Sequence, residues 1–465
     1  LKGIISYGAY VPNNRLQRKK IGEFFGSRSM VGEKAVAGFD EDSVSMGVEA
    51  ALNCLNGIHQ TDIGMVYFAT TSAPYKEKGS IATITKALNL SEQVVGIEAT
   101  SSLRSGTSSI IAANGLEKTL IIASDCRTGA PNGQNEQLFG DGAACFLIGS
   151  GDDVIANLVD AISVQDDIVS QWRNESDRFT YNWEERFGSS AFTRLIKDTI
   201  APFLEKNNCK QDSLAKVIVS APGKGAPSQV AKLLRLEPKQ IQASLIDNIG
   251  ATGTADAFMM LAAALEDAKP KNQLLVVSFA EGIDVLLFEV TEEIKRFGKR
   301  KGVQCYLNKR SKEISYSEYL KWRELLSTEP ARRPETGRPS APAMRRGYNQ
   351  NLGFIGSKCC HCGTAHFPKQ RICVECQAED EMEDYRFVGQ SAKVATYTVD
   401  YLSSSPDNPM LVAVIDFADG GRIISEITDC KPDEIKIGME VEMTFRRLYV
   451  AGGISNYYWK ARAKW

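Results

Sequence analysis

Histidine is almost missing from this chain: 465 residues hold three, His59, His361 and His366, the last two inside a cysteine-rich stretch. Imidazole is the side chain best suited to acid–base work near neutral pH, so everything before that stretch has one histidine to offer. His59 follows an apolar helical pattern ending at Leu55 and sits in a polar connection, where it reads as solvated. An excess of basic charge is missing as well. Lys and Arg number 55 against 57 Asp and Glu, a net charge of −2, which excludes the electrostatic footprint of a nucleic-acid or anionic-membrane binder. No uninterrupted apolar run approaches the length of a membrane span. Leu1-Lys2-Gly3-Ile4-Ile5-Ser6 reads as a strand rather than a signal peptide, so a cytoplasmic location is expected. Evenly scattered cysteines are also lacking: five of the eleven fall between 359 and 376, which favours a metal site in a reducing compartment over a disulfide scaffold.

What is present is enough chain for two or three domains, with 43% hydrophobic residues. Residues 45 to 290 repeat themselves. A helical pattern over Ser45 to Leu55 leads to an apolar strand, Met65 to Ala69, and then Thr71-Ser72-Ala73-Pro74; Phe192 to Leu204 leads to Lys216 to Val219 and Ser220-Ala221-Pro222. Gly106-Thr107 opens a helix to Ala113, as Gly253-Thr254 opens one to Leu265, and strands Thr119 to Ala123 and Gln273 to Val277 follow. The two Ser-Ala-Pro elements lie 148 residues apart and the two Gly-Thr pairs 147. Such apolar strands alternating with helices predict two similar α/β halves with parallel sheets.

Past Thr291 the composition changes. A basic stretch, Ile294 to Leu326, predicts a helix and passes into Pro330 to Pro342, where four prolines in thirteen residues exclude helix and central strand and predict an extended linker over 326–350. Short strands follow at Lys393 to Val399, Met410 to Phe417, Arg422 to Ile427 and Glu440 to Phe445, with Asp419-Gly420-Gly421 as a hairpin signal, and predict a small β-barrel over 381–465.

Between linker and barrel, in 351–380, Cys359-x-x-Cys362 and Cys373-x-x-Cys376 form two knuckles ten residues apart. Their four thiolates can close tetrahedrally around a structural zinc, with Cys360 and His361 as spacers; Gly363 supplies the positive φ a tight knuckle needs. A closed four-cysteine site leaves no position for a reacting water.

Lys358-Cys359-x-x-Cys362-Gly363, His366-Phe367-Pro368, Cys373-x-x-Cys376 and Gly438-Met439-Glu440-Val441 resemble the rubredoxin-like ribbon plus OB-fold family often called DUF35. That resemblance implies company with thiolase-type enzymes acting on acyl-CoA. Oligonucleotide binding by an OB-fold would need a basic groove, and Arg446, Arg447, Tyr449, Tyr457, Tyr458 and Trp459 read equally as an interdomain packing edge.

Residues 1–325 resemble hydroxymethylglutaryl-CoA (HMG-CoA) synthases and the thiolase superfamily. The markers are Gly8-Ala9-Tyr10-Val11-Pro12, Pro74-Tyr75, Glu98 to Thr107, Ala123-Ser124-Asp125, Gly140-Asp141-Gly142-Ala143-Ala144, Ala221-Pro222-Gly223, Ile249-Gly250-Ala251-Thr252 and Phe288-Glu289-Val290-Thr291. The resemblance implies a duplicated thiolase fold, with a nucleophilic cysteine expected at Leu103, an acid/base glutamate at Thr71, a histidine at Ser220 and an asparagine at Ala251. All four are replaced. Cys126 and Cys145 read as small buried hydrophobes, and Ser101, Ser102 and Ser105 show no adjacent base. Glu98, Asp125, Glu136 and Asp141 are acids better suited to capping or solvation. Backbone N–H groups at Gly106, Gly250 and Gly253 can still meet a coenzyme A thioester, although close packing explains the same glycines. The expected protein is a non-catalytic, HMG-CoA-synthase-like subunit of a thiolase or acyltransferase assembly. It pairs with a thiolase-type catalytic subunit across Thr119 to Ala123 in an oligomer, and binds neither nucleic acid nor membrane. The alternative is an independent acyl-CoA enzyme with rearranged catalytic residues.

Overall fold

The computed structural model describes residues 2–59, 62–113, 118–222, 225–298, 300–309, 311–327, 329, 341–403 and 405–464; Gly223 and the proline-rich heart of the predicted linker, 330–340, lie outside them. Contacts divide the chain into two compact units, one of Leu1–Ala37, Met46–Ala82 and Leu90–Tyr316, the other of Gly38–Ser45, Thr83–Asn89 and Ser317–Trp465.

Nine strands build the sheet of the first unit: β1 (Lys2–Tyr10), β2 (Met65–Thr70), β3 (Val95–Thr100), β4 (Thr119–Asp125), β5 (Gly142–Ser150), β6 (Ala156–Val164), β7 (Leu214–Ser220), β8 (Gln273–Ala280) and β9 (Gly282–Val290). Their order is β7-β8-β9-β6-β1-β5-β4-β2-β3. The repeat read from the sequence reappears as one pairing scheme used twice. β2-β4-β5-β1 and β7-β8-β9-β6 each run parallel, antiparallel, antiparallel. A short pairing of Gly3 with Asn157 and Ile4 with Ala156 joins the copies. The expected parallel pairing holds for β2 with β3 and β4 and for β7 with β8, and the remaining pairings are antiparallel. Between β8 and β9 stands only Glu281, a connection far too short for the crossover that parallel neighbours need.

Helices α1 (Ser43–Cys54), α2 (Ser105–Ala113), α3 (Glu185–Lys206) and α4 (Asp256–Glu266) accompany the strands. The Gly-Thr pairs open α2 and the 3-10 turn Gly253–Ala255 that leads into α4. Ala257 through Leu265 are all buried, as befits a helix apolar all round. α2 and α4 touch at Gly106, where a Cβ would stand 3.0 Å from the Phe258 ring, so this glycine permits the helix crossing. α3 buries Phe192, Leu195, Ile196 and Ile200 with Leu275, Val277, Val285 and Leu287 of β8 and β9 in one core.

The single helix expected over Ile294 to Leu326 is broken into a 3-10 turn (Glu292–Lys295), a helix (Val303–Leu307), a strand (Lys312–Glu313) and a helix (Tyr316–Trp322). Gly298 takes a left-handed backbone, φ 75, just after the first turn, and Lys312 and Glu313 pair with Asn14 and Arg15. Tertiary pairing outweighs helical composition here. At the start of Val303–Leu307, the Glu266 carboxylate accepts the Gln304 N–H, and burial pushes its pKa up from 4.5 to about 7. The folded state therefore holds a proton that the unfolded state releases, so this group's contribution to stability declines as pH rises from about 4.5 through about 7. Glu266→Gln is expected to flatten that part of the curve of denaturation midpoint against pH; identical slopes in both proteins would show that the group is unperturbed.

In the second unit, ribbon strands Ile355–Cys359, Ala365–His366 and Met382–Arg386 pair around the cysteine knuckles. A closed barrel follows, made of β10 (Ala392–Asp400), β11 (Met410–Phe417), β12 (Arg422–Ile427), β13 (Glu440–Ala451) and β14 (Ile454–Ala463) in the order β10-β11-β12-β14-β13. Burial alternates residue by residue along β11, as one face inward demands. Tyr457 and Trp459 lie on β14 and are buried in the barrel, with Tyr457 stacked on Phe445 and Trp459 edge-on to it. Gly452-Gly453, both at positive φ, turn β13 into β14 and were the overlooked hairpin signal. The last part of the expected linker is helical rather than extended, at Ala341–Arg346 and Tyr348–Asn351. Phe354, Phe367, Phe387, Phe417 and Trp459 form one aromatic core shared by ribbon and barrel.

Candidate functional site

Leu103 and Thr71 come together on one cleft of about 590 Å³, which Tyr75, Arg127, Trp172 and Arg173 also line. Leu103 stands between β3 and α2, on a turn whose Ser101 adopts a left-handed φ of 74. Across the cleft, a two-stranded hairpin, Gln171–Trp172 with Tyr181–Asn182, stacks Trp172 on Tyr181. The cleft carries charges of both signs, Lys76, Arg127 and Arg173 with Glu175 and Asp177, and has an aliphatic side chain where the resemblance expects a thiol.

Asp125, fully buried at the end of β4, organises the neighbouring turn. It accepts the Thr70 hydroxyl at 3.0 Å, the Thr71 N–H at 2.7 Å, the Thr71 hydroxyl at 3.0 Å, the Ser72 hydroxyl at 2.8 Å and the Thr254 N–H at 2.8 Å. Thr71 is thus engaged as a donor and has no acid function to give. Gly253, at φ 65, leaves room for this carboxylate, since a Cβ there would fall 2.1 Å from Asp125 Oδ2. Beside it, Arg127 lies 3.7 Å over the Phe139 ring, and burial pushes its pKa down to about 10 although Asp125 and Asp256 oppose the shift.

Ser220 and Ala251 are not among the residues lining this cleft. The Ser220 hydroxyl donates to Asp256 Oδ2 at 2.9 Å, at the start of α4; burial raises the Asp256 pKa against that bond. Ala251 is tied by its backbone to Leu138 and Gly140, and Gly250 packs on Gly140. A separate cavity of about 130 Å³ adjoins Ala221, Pro222, Trp183 and Phe279.

Arg104, next to Leu103, heads a network that sequence reasoning missed. Its guanidinium pairs with Asp284 of β9, which also accepts hydroxyls from Ser163 at 2.7 Å, Thr107 at 2.7 Å and Ser108 at 2.8 Å. Both partners are almost wholly buried, so the pair pins the start of α2 to the second copy of the repeat. A lone aspartate inside the apolar run Ile283 to Leu287 was the available signal. Asp284→Ala is expected to cost about 3–5 kcal/mol by stranding the arginine charge, and Arg104→Met with Asp284→Leu to recover most of it. Urea denaturation of both proteins decides; a loss under about 1 kcal/mol in the single variant would contradict the burial argument.

Elsewhere, the four sulfurs of Cys359, Cys362, Cys373 and Cys376 lie within 4.8 Å of one another, with Cys359 to Cys376 at 3.6 Å and Cys362 to Cys373 at 3.4 Å. Sulfurs bound at about 2.3 Å to a tetrahedral ion stand about 3.8 Å apart, so this set can hold a metal ion. Gly363, φ 78, and Gln377, φ 61, each follow the second cysteine of a knuckle and return an N–H to the first cysteine's carbonyl. Cys360 and His361 are exposed and stand outside the cluster.

The chain is similar to known proteins in both its parts. HMG-CoA synthase of Pyrobaculum aerophilum is 29% identical over 344 residues, covering 70% of this chain and 98% of that protein; the Methanosarcina mazei synthase is 28% identical over 338 residues, covering 69% and 97%. A crystal structure of HMG-CoA synthase complexed with CoA superposes with a TM-score of 0.61 at 18% identity, over 69% of this chain and 89% of that one. A 3-oxoacyl-(acyl carrier protein) synthase III from Pseudomonas aeruginosa gives 0.55 at 17%, over 62% and 98%. Residues 204–286 match the family described as 3-oxoacyl-[acyl-carrier-protein] synthase III C terminal, and 385–446 the one described as ChsH2, C-terminal OB-fold domain. The chain carries an HMG-CoA-synthase-like thiolase fold followed by an OB-fold domain.

Within the HMG-CoA-synthase-like domain, the remaining candidate groups are engaged structurally. Glu98 accepts the Ser80 N–H at 2.6 Å, Asp141 the Ala37 N–H at 2.7 Å, and Glu136 the Tyr316 hydroxyl at 2.8 Å. Cys145 is buried as expected, whereas Cys126 is half-buried just beyond β4, its N–H on Ser72 Oγ. Ser102 does have a neighbouring base: its hydroxyl donates to Glu281. The interface expected across Thr119 to Ala123 is corrected, because β4 is buried along its whole length and bonded by β2 and β5 on both sides. Among the described residues the sheet ends at β3, where Val95 is 53% and Ile97 37% exposed. No described helix is long and apolar enough to cross a membrane.

Proposed function

We propose that this chain is the non-catalytic, HMG-CoA-synthase-like subunit of a cytoplasmic thiolase-type acyltransferase assembly, holding an acyl-CoA thioester while a partner supplies thiol and imidazole. The observation that carries this reading is Leu103 on the nucleophile turn with Thr71 committed to Asp125: neither can attack, donate a proton or accept one. The cleft presents Arg127 and Arg173, besides a Lys76 paired with Glu175, toward the anionic groups of a CoA ester, and a solved relative is complexed with CoA. Zinc is the metal this reading assigns to Cys359, Cys362, Cys373 and Cys376, since four thiolates in a closed set suit its tetrahedral preference; its role is structural.

The partner docks along β3. An open strand edge with exposed valine and isoleucine favours strand addition by another sheet. Purification from native cells tests the reading: a thiolase-type protein is expected to accompany this chain, and Ile97→Lys to weaken the association at least about tenfold, since an unpaired charge in such an interface costs more than about 1.4 kcal/mol. Recovery of the chain alone under gentle conditions, with no thiolase-type protein, would defeat it.

A second reading, independent acyl transfer, is favoured by the Ser102–Glu281 pair. Ser102 is not among the residues lining the cleft, which weighs against it.

A further inference from the structure

The triplet Asp40-Glu41-Asp42 is 2%, 3% and 7% exposed, and its segment belongs to the second unit although the chain on either side of it belongs to the first. Three consecutive buried acids demand cations, and β13 and β14 supply them. Arg446 pairs with Glu41, lies 3.8 Å from Asp40 and meets Asp429 of the barrel at 2.6 Å. Lys460 holds Asp40 at 3.1 Å and pairs with Glu426. Arg447 stands 3.7 Å from Asp42, and the Tyr457 hydroxyl donates to the same carboxylate at 2.7 Å. The backbone joins in: the Arg447 N–H donates to the Asp40 carbonyl at 2.8 Å and its guanidinium to the Phe39 carbonyl at 3.3 Å. Lys460 also lies 4.9 Å over the Phe39 ring.

Arg446 and Lys460 are 1% and 2% exposed, so solvent offsets neither charge; Asp429 and Glu426 meet one side of each, and Asp40 and Glu41 complete their pairing. The occupant comes from a stretch of sequence some four hundred positions earlier, on the order of the whole chain's length, and it meets the barrel with side-chain charges and main-chain carbonyls alike. We propose that the β13–β14 face is a docking site for a short acidic peptide, filled in this chain by Asp40-Glu41-Asp42, and that this docking keeps residues 341–465 attached even when the linker is cut. Buried charges are screened little by salt, so the attachment persists at high ionic strength.

The test uses full-length protein with a specific protease site placed within 330–340. After cleavage, wild-type fragments are expected to elute together in 1 M salt, on the order of ten times the ionic strength at which exposed pairs are already largely screened. A synthetic peptide with the sequence of residues 38–45 is expected to speed fragment release, and its version with Asn, Gln and Asn at the three acidic positions to have no effect. Asp40→Asn, Glu41→Gln, Asp42→Asn protein is expected to release its fragment on cleavage. Should that variant fail to fold, Glu41→Gln with Arg446→Met removes both members of one pair together and is expected to release at least tenfold faster than wild type. Separation of the wild-type fragments, equal effects of the two peptides, or unchanged retention in a folded charge variant would each overturn the proposal.

Discussion

Protein with Cys362→Ala and Cys373→Ala is expected to contain no zinc and to lose the folded C-terminal unit, whereas the unaltered chain is expected to carry one zinc. Metal binding by a structural four-cysteine site is worth about 10–16 kcal/mol near pH 7, and that energy is folding energy. It equals or exceeds the stability of a typical domain, about 5–15 kcal/mol, so its loss cannot be absorbed locally. The damage spreads because Phe367, between the two knuckles, packs on Phe354 and Phe387, and these reach Phe417 and Trp459 of the barrel. Metal analysis and near-ultraviolet circular dichroism, which reads this aromatic core, give the two readouts. Stoichiometric zinc retained by the double variant would remove these cysteines from the ligand set.

Purified alone, the chain is expected neither to become acylated by acetyl-CoA nor to condense or cleave acyl-CoA esters. Removing a nucleophile and its base together costs roughly a millionfold in turnover where the groups act as a unit. Here the position expected to carry the thiol is Leu103, the Thr71 hydroxyl is bonded to Asp125, and the Ser220 hydroxyl to Asp256. Leu103→Cys alone is expected to leave condensation absent, since no histidine is among the residues lining the cleft that holds Leu103. Adding the thiolase-type partner should bring activity, and replacing the partner's nucleophilic cysteine should end it. Mass spectrometry after incubation with acetyl-CoA is decisive. An adduct on Ser102 would promote the second reading, and Ser102→Ala would then have to abolish it.

Much of the architecture was legible because it rests on local pattern. Apolar runs bounded by turn residues gave most of the sheet and barrel strands, and the knuckle spacing gave the metal cluster, since two C-x-x-C elements bring four sulfurs within reach whatever surrounds them. The repeat was visible for the same reason: a βα pattern recurring at one spacing dictates one pairing scheme twice. The vacancy of the expected catalytic positions is likewise a matter of residue identity, which no packing can restore.

Pairing partners were decided by tertiary structure. The resemblance placed an interface at β4, which is the buried middle of a sheet, while β3 is the open edge; which strand lies outermost depends on what lies alongside it, and only the folded chain decides that. Ile294 to Leu326 carries helical composition but was divided by pairing with Asn14 and Arg15. The buried ions follow the same logic. Asp284 finds Arg104 and Glu41 finds Arg446 only after the chain has folded, since each pair joins residues far apart in sequence whose charges are tolerated inside a protein solely because the fold sets them within hydrogen-bonding distance.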